Sequence, residues 1–271
     1  MIEVKIDKHL SFGNDMPITI IAGPCALENE YMAMQLCETL VKITAKYGVG
    51  YIFKTSFDKA NRQSIDSARG IGLDQSLRVF ERIRNEYHVP IITDVHECWQ
   101  CDIVSKYVDI LQIPAMLSRQ TDLIVTAAQT QKPINIKKGQ FMSPRSILGA
   151  IKKIESTGNR NILLTDRGSS FGYERLVVDF CGIHDMKKTG YPVILDVTHA
   201  IQNQTSNGEN QEYAFPLTMA GVGVGIAGLF FEVHSNPNQA LCDASNQISP
   251  AMFENIIKNA IVMDNLIKGI T

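Results

Sequence analysis

Eight short runs of β-branched and aliphatic residues recur along the chain, each followed by a polar cluster and most then by a stretch with helical spacing. They are ITIIAGPC (18–25), YIFKTS (51–56), PIITDVH (90–96), VDILQIPA (108–115), PINIKKG (133–139), NILLTDRG (161–168), PVILDVTH (192–199) and GLFFEVH (228–234). Both faces of each run are apolar, as a strand buried in a parallel sheet requires. Helical periodicity covers 31–47, 73–87, 98–106, 121–129, 144–156, 216–224 and 250–267. This alternation predicts an α/β fold, a single (β/α)8 or TIM barrel spanning 1–271, since no Gly/Ser-rich linker or charge block divides the chain. Residues 1–16 carry EVKI and then HLSF, which predicts a short N-terminal hairpin closing the bottom of the barrel.

Charge and composition narrow the function classes. Lys and Arg number 26 against 28 Asp and Glu, a formal charge of -2, too balanced for a general nucleic-acid or membrane-surface binder. Any anionic ligand must therefore meet a local cluster. The longest nearly unbroken apolar run, 219–231, has 13 residues and four glycines, short of the roughly 18 needed to span a bilayer. The opening MIEVK has mixed charge and no apolar core of a signal peptide, so the expected compartment is the cytoplasm. Six cysteines in such a chain are expected to be reduced thiols. Cys98-Trp99-Gln100-Cys101 is a lone C-x-x-C without the further ligands of a structural zinc site, and helix packing is its expected role. Gly221, Gly223, Gly225 and Gly228 precede a strand instead of following one, which argues for close helix packing over a dinucleotide loop. The polar stretch 202–213 is expected to be a mobile loop over the site.

In such a barrel the chemistry lies at the carboxyl ends of the strands. There the runs end in Cys25, Lys54, Ser56, Asp94, His96, Gln112, Lys137, Lys138, Asp166, Arg167, Asp196, His199, Glu232 and His234. One subset is cationic: Lys54, Lys59, Arg62, Lys137 and Arg167, with Arg119 nearby in sequence. Converging cations repel unless an anion binds, so the set predicts a site for phosphorylated or carboxylated substrates. A second subset, Cys25, His199, Glu232 and Asp243, mixes soft and hard donors suited to a divalent transition ion such as Zn, Fe, Mn or Co. Alternatively, Cys25 is a small buried filler and the carboxylates pair with Lys or Arg.

From FKTSFDKANRQS (53–64) onward the chain resembles the 3-deoxy-D-manno-octulosonate 8-phosphate (Kdo-8-phosphate) synthases. The resemblance continues through TDVHE (93–97), LQIPAMLSRQTDL (111–123), INIKKGQF (134–141), DRGSSFGY (166–173), DVTHAIQ (196–202) and AGLFFEVH (227–234), and covers essentially the whole chain. It implies condensation of phosphoenolpyruvate with D-arabinose 5-phosphate and water, releasing phosphate, in an enzyme linked to lipopolysaccharide synthesis. The related 3-deoxy-D-arabino-heptulosonate 7-phosphate synthases share the barrel but differ at the KANR segment, and are the alternative.

By the same resemblance, Lys54, Lys59, Lys137 and Arg167 surround phosphoenolpyruvate, with Gln112 and Ser56 nearby. Asn61, Arg62 and Ser64 hold the pentose phosphate, Arg119 reaches it from a neighbouring subunit of a homotetramer, and Gln202 joins the substrate contacts. Asp94 and His96 are implied to handle protons or orient other groups. The catalytic set is then Lys54, Lys59, Asp94, His96, Lys137, His199 and Asp243. Gln63 departs from the Ser often found after KANR. Cys25 in AGPCALE, with CDASNQ (242–247) and KKGQ (137–140), resembles the metal-dependent branch.

Overall fold

The computed structural model describes residues 1–62, 64–173, 175–202 and 210–270. The chain opens with β1 (Val4–Lys5) and β2 (Ser11–Phe12), an antiparallel hairpin pairing Val4 with Phe12. Then follow β3 (Thr19–Gly23), α1 (Glu30–Lys46), β4 (Gly50–Lys54), α2 (Leu73–Tyr87), β5 (Ile91–Asp94), α3 (Cys98–Ser105), β6 (Ile110–Ile113) and α4 (Thr121–Gln129). The second half continues with β7 (Ile134–Lys137), α5 (Ile147–Glu155), β8 (Ile162–Asp166), the hairpin β9 (Ser169–Ser170) and β10 (Leu176–Val177), and α6 (Phe180–Lys187). It ends with β11 (Val193–Asp196), α7 (Val197–Ala200), α8 (Ala214–Gly223), β12 (Gly228–Glu232) and α9 (Pro250–Lys268). Among the described residues, β3 to β8, β11 and β12 close a parallel barrel in the order β11-β12-β3-β4-β5-β6-β7-β8. This is the expected (β/α)8 architecture.

Strand periodicity explains why both faces of the runs had to be apolar. Ile20, Phe53, Ile91, Leu111, Ile136, Leu164, Leu195 and Phe231 point outward into one large core shared with the helices. One residue along, Ile21, Ile52, Ile92, Ile110, Leu163, Ile194 and Phe230 point inward and form a separate interior cluster with Val4 and Phe12 of the hairpin. The hairpin thus inserts its apolar face into the amino-terminal end of the barrel.

Three local readings change. The run 192–199 is extended only to Asp196, because the Asp196 Oδ1 accepts from the His199 amide at 3.0 Å and starts α7. Helix α6 had no clear periodic signal, since it is short and contains Gly182. That glycine allows contact: a Cβ there would lie 2.4 Å from Pro144 Cγ. The predicted helix 144–156 begins as a 3-10 turn at Pro144–Ser146 before α5.

The glycines before β12 serve packing: a Cβ on Gly221 would lie 2.5 Å from Leu195 Cδ2. Cys98 is exposed and Cys101 joins the outer core, both on the first turn of α3. Of the loop expected at 202–213, residues 203–209 lie outside the described residues, as does Gln63. No described helix is long and apolar enough to cross a membrane.

Candidate active site

The carboxyl ends of the barrel strands open into a cavity of about 700 Å³ lined by Lys54, Lys59, Asn61, Arg62, Asp94, His96, Lys137, Arg167, His199, Gln202 and Asp243. Ser56, Gln112, Cys25 and Glu232 are buried next to these groups without being among its lining residues. Ser64 and Arg119 are exposed and do not line it. The Ser64 Oγ accepts from the Asp66 amide at 3.2 Å, and the Arg119 carbonyl accepts from Lys153 Nζ at 2.8 Å.

The cations at the floor are desolvated and individually braced. Lys54 Nζ lies 3.2 Å from Asp94 Oδ2 and donates to Ser56 Oγ at 2.8 Å. Lys137 Nζ bonds the buried Asp196 carboxylate. Both ammonium groups sit over the Phe230 ring, at 5.5 and 3.9 Å from its centroid, a contact favourable for cations. Burial lowers the Lys137 and Arg167 pKa values, partly countered by Asp196 in each case. Burial would also lower that of Lys59, but Cys25, Glu232 and Asp94 outweigh it and keep the ammonium charged. For Asp94, burial is outweighed by Lys54 and Lys59, which hold the carboxyl well below its ordinary range.

A hydrogen-bonded chain crosses the inner wall from β8 to β5. Thr165 Oγ1 donates to Asn135 Oδ1 (2.7 Å), Asn135 Nδ2 to Gln112 Oε1 (2.8 Å), and Gln112 Nε2 to Asp94 Oδ1 (2.5 Å). The Gln112 amide therefore already has a partner at each end. Asn135 and Thr165 were not expected at the site, although an Asn two residues before Lys137 on an apolar strand was a visible signal. Asp196, which had been noted only as a strand-end residue, joins Lys137 to His199. The two adjacent lysines part company: Lys137 faces the cavity, whereas fully buried Lys138 donates to Ser169 Oγ at 3.0 Å and lies 3.4 Å from Asp166.

The four expected metal ligands converge. Cys25, Glu232 and Asp243 each offer a ligand atom within 4.8 Å of the others, and His199 Nε2 lies 3.5 Å from Glu232 Oε1 and 4.0 Å from Asp243 Oδ2. The His199 Nδ1 is 2.8 Å from Asp196 Oδ2. With Nδ1 turned to Asp196, Nε2 faces the carboxylates, the orientation metal-ligating histidines adopt. Among the described residues neither buried Glu232 oxygen has a hydrogen-bond partner, and the nearest ammonium, Lys59 Nζ, stands 3.8 Å from Oε1, a costly condition unless another group compensates. Cys25 Sγ lies 3.3 Å from Asp243 Oδ2. Burial, the Cys242 contact and Glu232 push its thiol pKa well up, against the pull of Lys59. The donor set and the buried carboxylate without a hydrogen bond fit a divalent transition ion, whose charge would favour the thiolate.

The DAHP synthetase I family model matches residues 1–268. The chain belongs to that family. It is 44% identical over 272 residues to the 2-dehydro-3-deoxyphosphooctonate aldolase of Fusobacterium nucleatum subsp. nucleatum, covering 99% of this chain and 98% of that one. Identity is 47% over 266 residues to the protein of the same name from Bradyrhizobium diazoefficiens, with 96% and 94% covered. For the Pasteurella multocida protein of that name it is 46% over 266 residues, again with 96% and 94% covered.

Proposed function

We propose that this member of the family condenses phosphoenolpyruvate with D-arabinose 5-phosphate and water to give 3-deoxy-D-manno-octulosonate 8-phosphate and inorganic phosphate. The observation that carries this reading is the placing of Lys54, Lys137 and Arg167 in one cavity with Asn61 and Arg62, in a chain whose relatives bear the aldolase name. The heptulosonate alternative lacks that support.

Phosphoenolpyruvate is a weak carbon nucleophile. Lys54, Lys59, Lys137 and Arg167 hold its carboxylate and phosphate away from bulk water, where preorganised charge is most effective. Its C3 forms a bond to the aldehyde carbon, water adds at C2, and the C2–O bond to phosphate then breaks. Asn61 and Arg62 fix the pentose phosphate so that the aldehyde meets C3. Asp94, with its oxygens engaged by Lys54, Ser56 and Gln112, positions Lys54. His96 lines the cavity, and burial lowers its pKa, so a neutral ring is available to exchange protons with the reacting oxygens. Cys25, His199, Glu232 and Asp243 would hold one divalent ion, which supplies a Lewis acid that orients and polarises the aldose carbonyl.

The enzyme is proposed to be cytoplasmic and homotetrameric, with Arg119 serving a neighbouring site. The test is phosphate release with each aldose, with and without chelator. Arabinose 5-phosphate should far exceed erythrose 4-phosphate, and equal or reversed preference overturns the substrate. Chelation should abolish turnover and Mn, Fe, Co or Zn restore it; Cys25→Asn should bind no metal yet keep residual turnover. Full activity in protein shown by elemental analysis to be metal-free overturns the metal role. A light-scattering mass of one chain in fully active enzyme overturns the shared site.

A further inference from the structure

Asp243 lies on the loop after β12, remote in sequence from Cys25, and its backbone is at φ 48°. Among non-glycine residues Asp and Asn tolerate that left-handed conformation best, and here it ends in a tight turn. Gln247 is a side chain that connects that loop to the Cys25 backbone, beside the Cys25 Sγ contact to Asp243 and the Glu28 bond to the Leu241 amide. It is fully buried; its Oε1 accepts from the Cys25 amide at 3.2 Å and its Nε2 donates to the Cys242 carbonyl at 2.9 Å. A backbone N–H can only donate and a carbonyl can only accept, so the two partners fix the orientation of the amide. The Gln247 backbone N–H also bonds the Asp243 carbonyl at 3.1 Å, and the next amide, Ile248, bonds the Glu232 carbonyl at 3.0 Å. Gln247 therefore links the segments carrying Cys25 and Asp243, and its neighbour Ile248 ties the same stretch to Glu232.

We infer that Gln247 is a positioning residue of the metal centre, setting the spacing of Cys25 and Asp243 before an ion arrives. The inference rests on the proposed role of Cys25, His199, Glu232 and Asp243 as ligands. Only an amide of this length meets both partners: methionine keeps the volume and offers neither bond, whereas glutamate keeps the acceptor for Cys25 and loses the donor to Cys242.

The test is Co²⁺ titration of metal-stripped full-length protein, reading affinity by chelator competition and the thiolate-to-cobalt charge-transfer band in the near ultraviolet. Gln247→Met should weaken Co²⁺ binding by roughly 10- to 100-fold, the usual effect of losing a group that orients a ligand, and diminish the band per bound ion. Gln247→Glu should weaken binding but retain the band, because the Cys25 amide is still held. Asn159→Ala is the control: it removes a buried amide that bonds the Ala128 and Lys132 carbonyls elsewhere, and should lower thermal stability without changing the cobalt signals. If Gln247→Met does not fold, Gln247→Glu carries the test. Wild-type affinity and spectrum in the Gln247 variants, or changes no larger than those of Asn159→Ala, overturn the inference. Wild-type protein that binds no Co²⁺ overturns it together with the metal reading, and so marks that separate failure.

Discussion

The two ends of the barrel interior are made by the same strands and have opposite chemistry. Ile52 is followed two residues later by Lys54, Ile92 by Asp94, Ile110 by Gln112, Ile194 by Asp196 and Phe230 by Glu232. Two residues of strand span only roughly 6.6 Å. The lower layer, closed by Val4 and Phe12, keeps water from reaching the charges from beneath, and buried charges interact more strongly for it. The upper layer gains little stability from its ion pairs, because desolvation opposes their attraction. The lower layer therefore serves stability and the upper layer serves binding and chemistry.

This division should be visible in mutants. The largest effect is expected from Lys137→Met, which removes a preorganised charge and should lower kcat by roughly 10²- to 10³-fold, read from phosphate release at saturating substrates. An unchanged rate would take Lys137 out of the reacting region. At the other end, Ile52→Ala should cost about 2–4 kcal/mol of unfolding free energy through cavity formation, while the rate per folded molecule stays unchanged. Urea unfolding and activity on the same samples would show whether the two ends separate, and a parallel loss of both would say they do not.

A smaller effect is expected at the rim. Arg62→Ala should raise the KM for the pentose phosphate roughly 10- to 100-fold, as loss of a charge-assisted bond of about 1.5–3 kcal/mol implies. Its guanidinium also donates to the Leu241 carbonyl at 2.8 Å, so some loosening of the Asp243 loop should accompany it. Collapse of phosphoenolpyruvate affinity instead would reverse the roles given to floor and rim.

The smallest effect is the acid limb of stability. Lysines hold the Asp94 carboxyl below its ordinary range despite burial, and His199 and Lys137 do the same for Asp196. Their folded pKa values lie below the unfolded value of about 3.9, so their contribution is present above that pH and is lost as the pH falls through the acid range. Thermal midpoints between neutral and acid pH should fall less steeply in Asp94→Asn than in the wild type. Identical slopes would place the acid sensitivity outside the charged layer.

Much of this layering was legible in the chain. Apolar runs ending in charged residues announced buried strands with chemistry at one end, because strand alternation and the barrel rule act on neighbours in sequence. Helix α6 was obscured by Gly182, whose lack of a side chain reflects contact with Pro144 and no local preference. Asn135 was passed over since its partners, Gln112 and Thr165, sit on other strands.

Sequence alone determined the parallel barrel and proposed the cationic set and the candidate ligands, since period-two patterning and residue type are properties of short segments. Tertiary structure decided that Lys137 faces the cavity while Lys138 is buried beside Ser169, and that His199 presents Nε2 to Glu232 because Asp196 takes Nδ1. It also decided that Gln247 spans from Cys242 to Cys25. Each of these depends on angles and distances of a few ångströms between residues far apart in the chain, which closure of the barrel sets and no local pattern encodes.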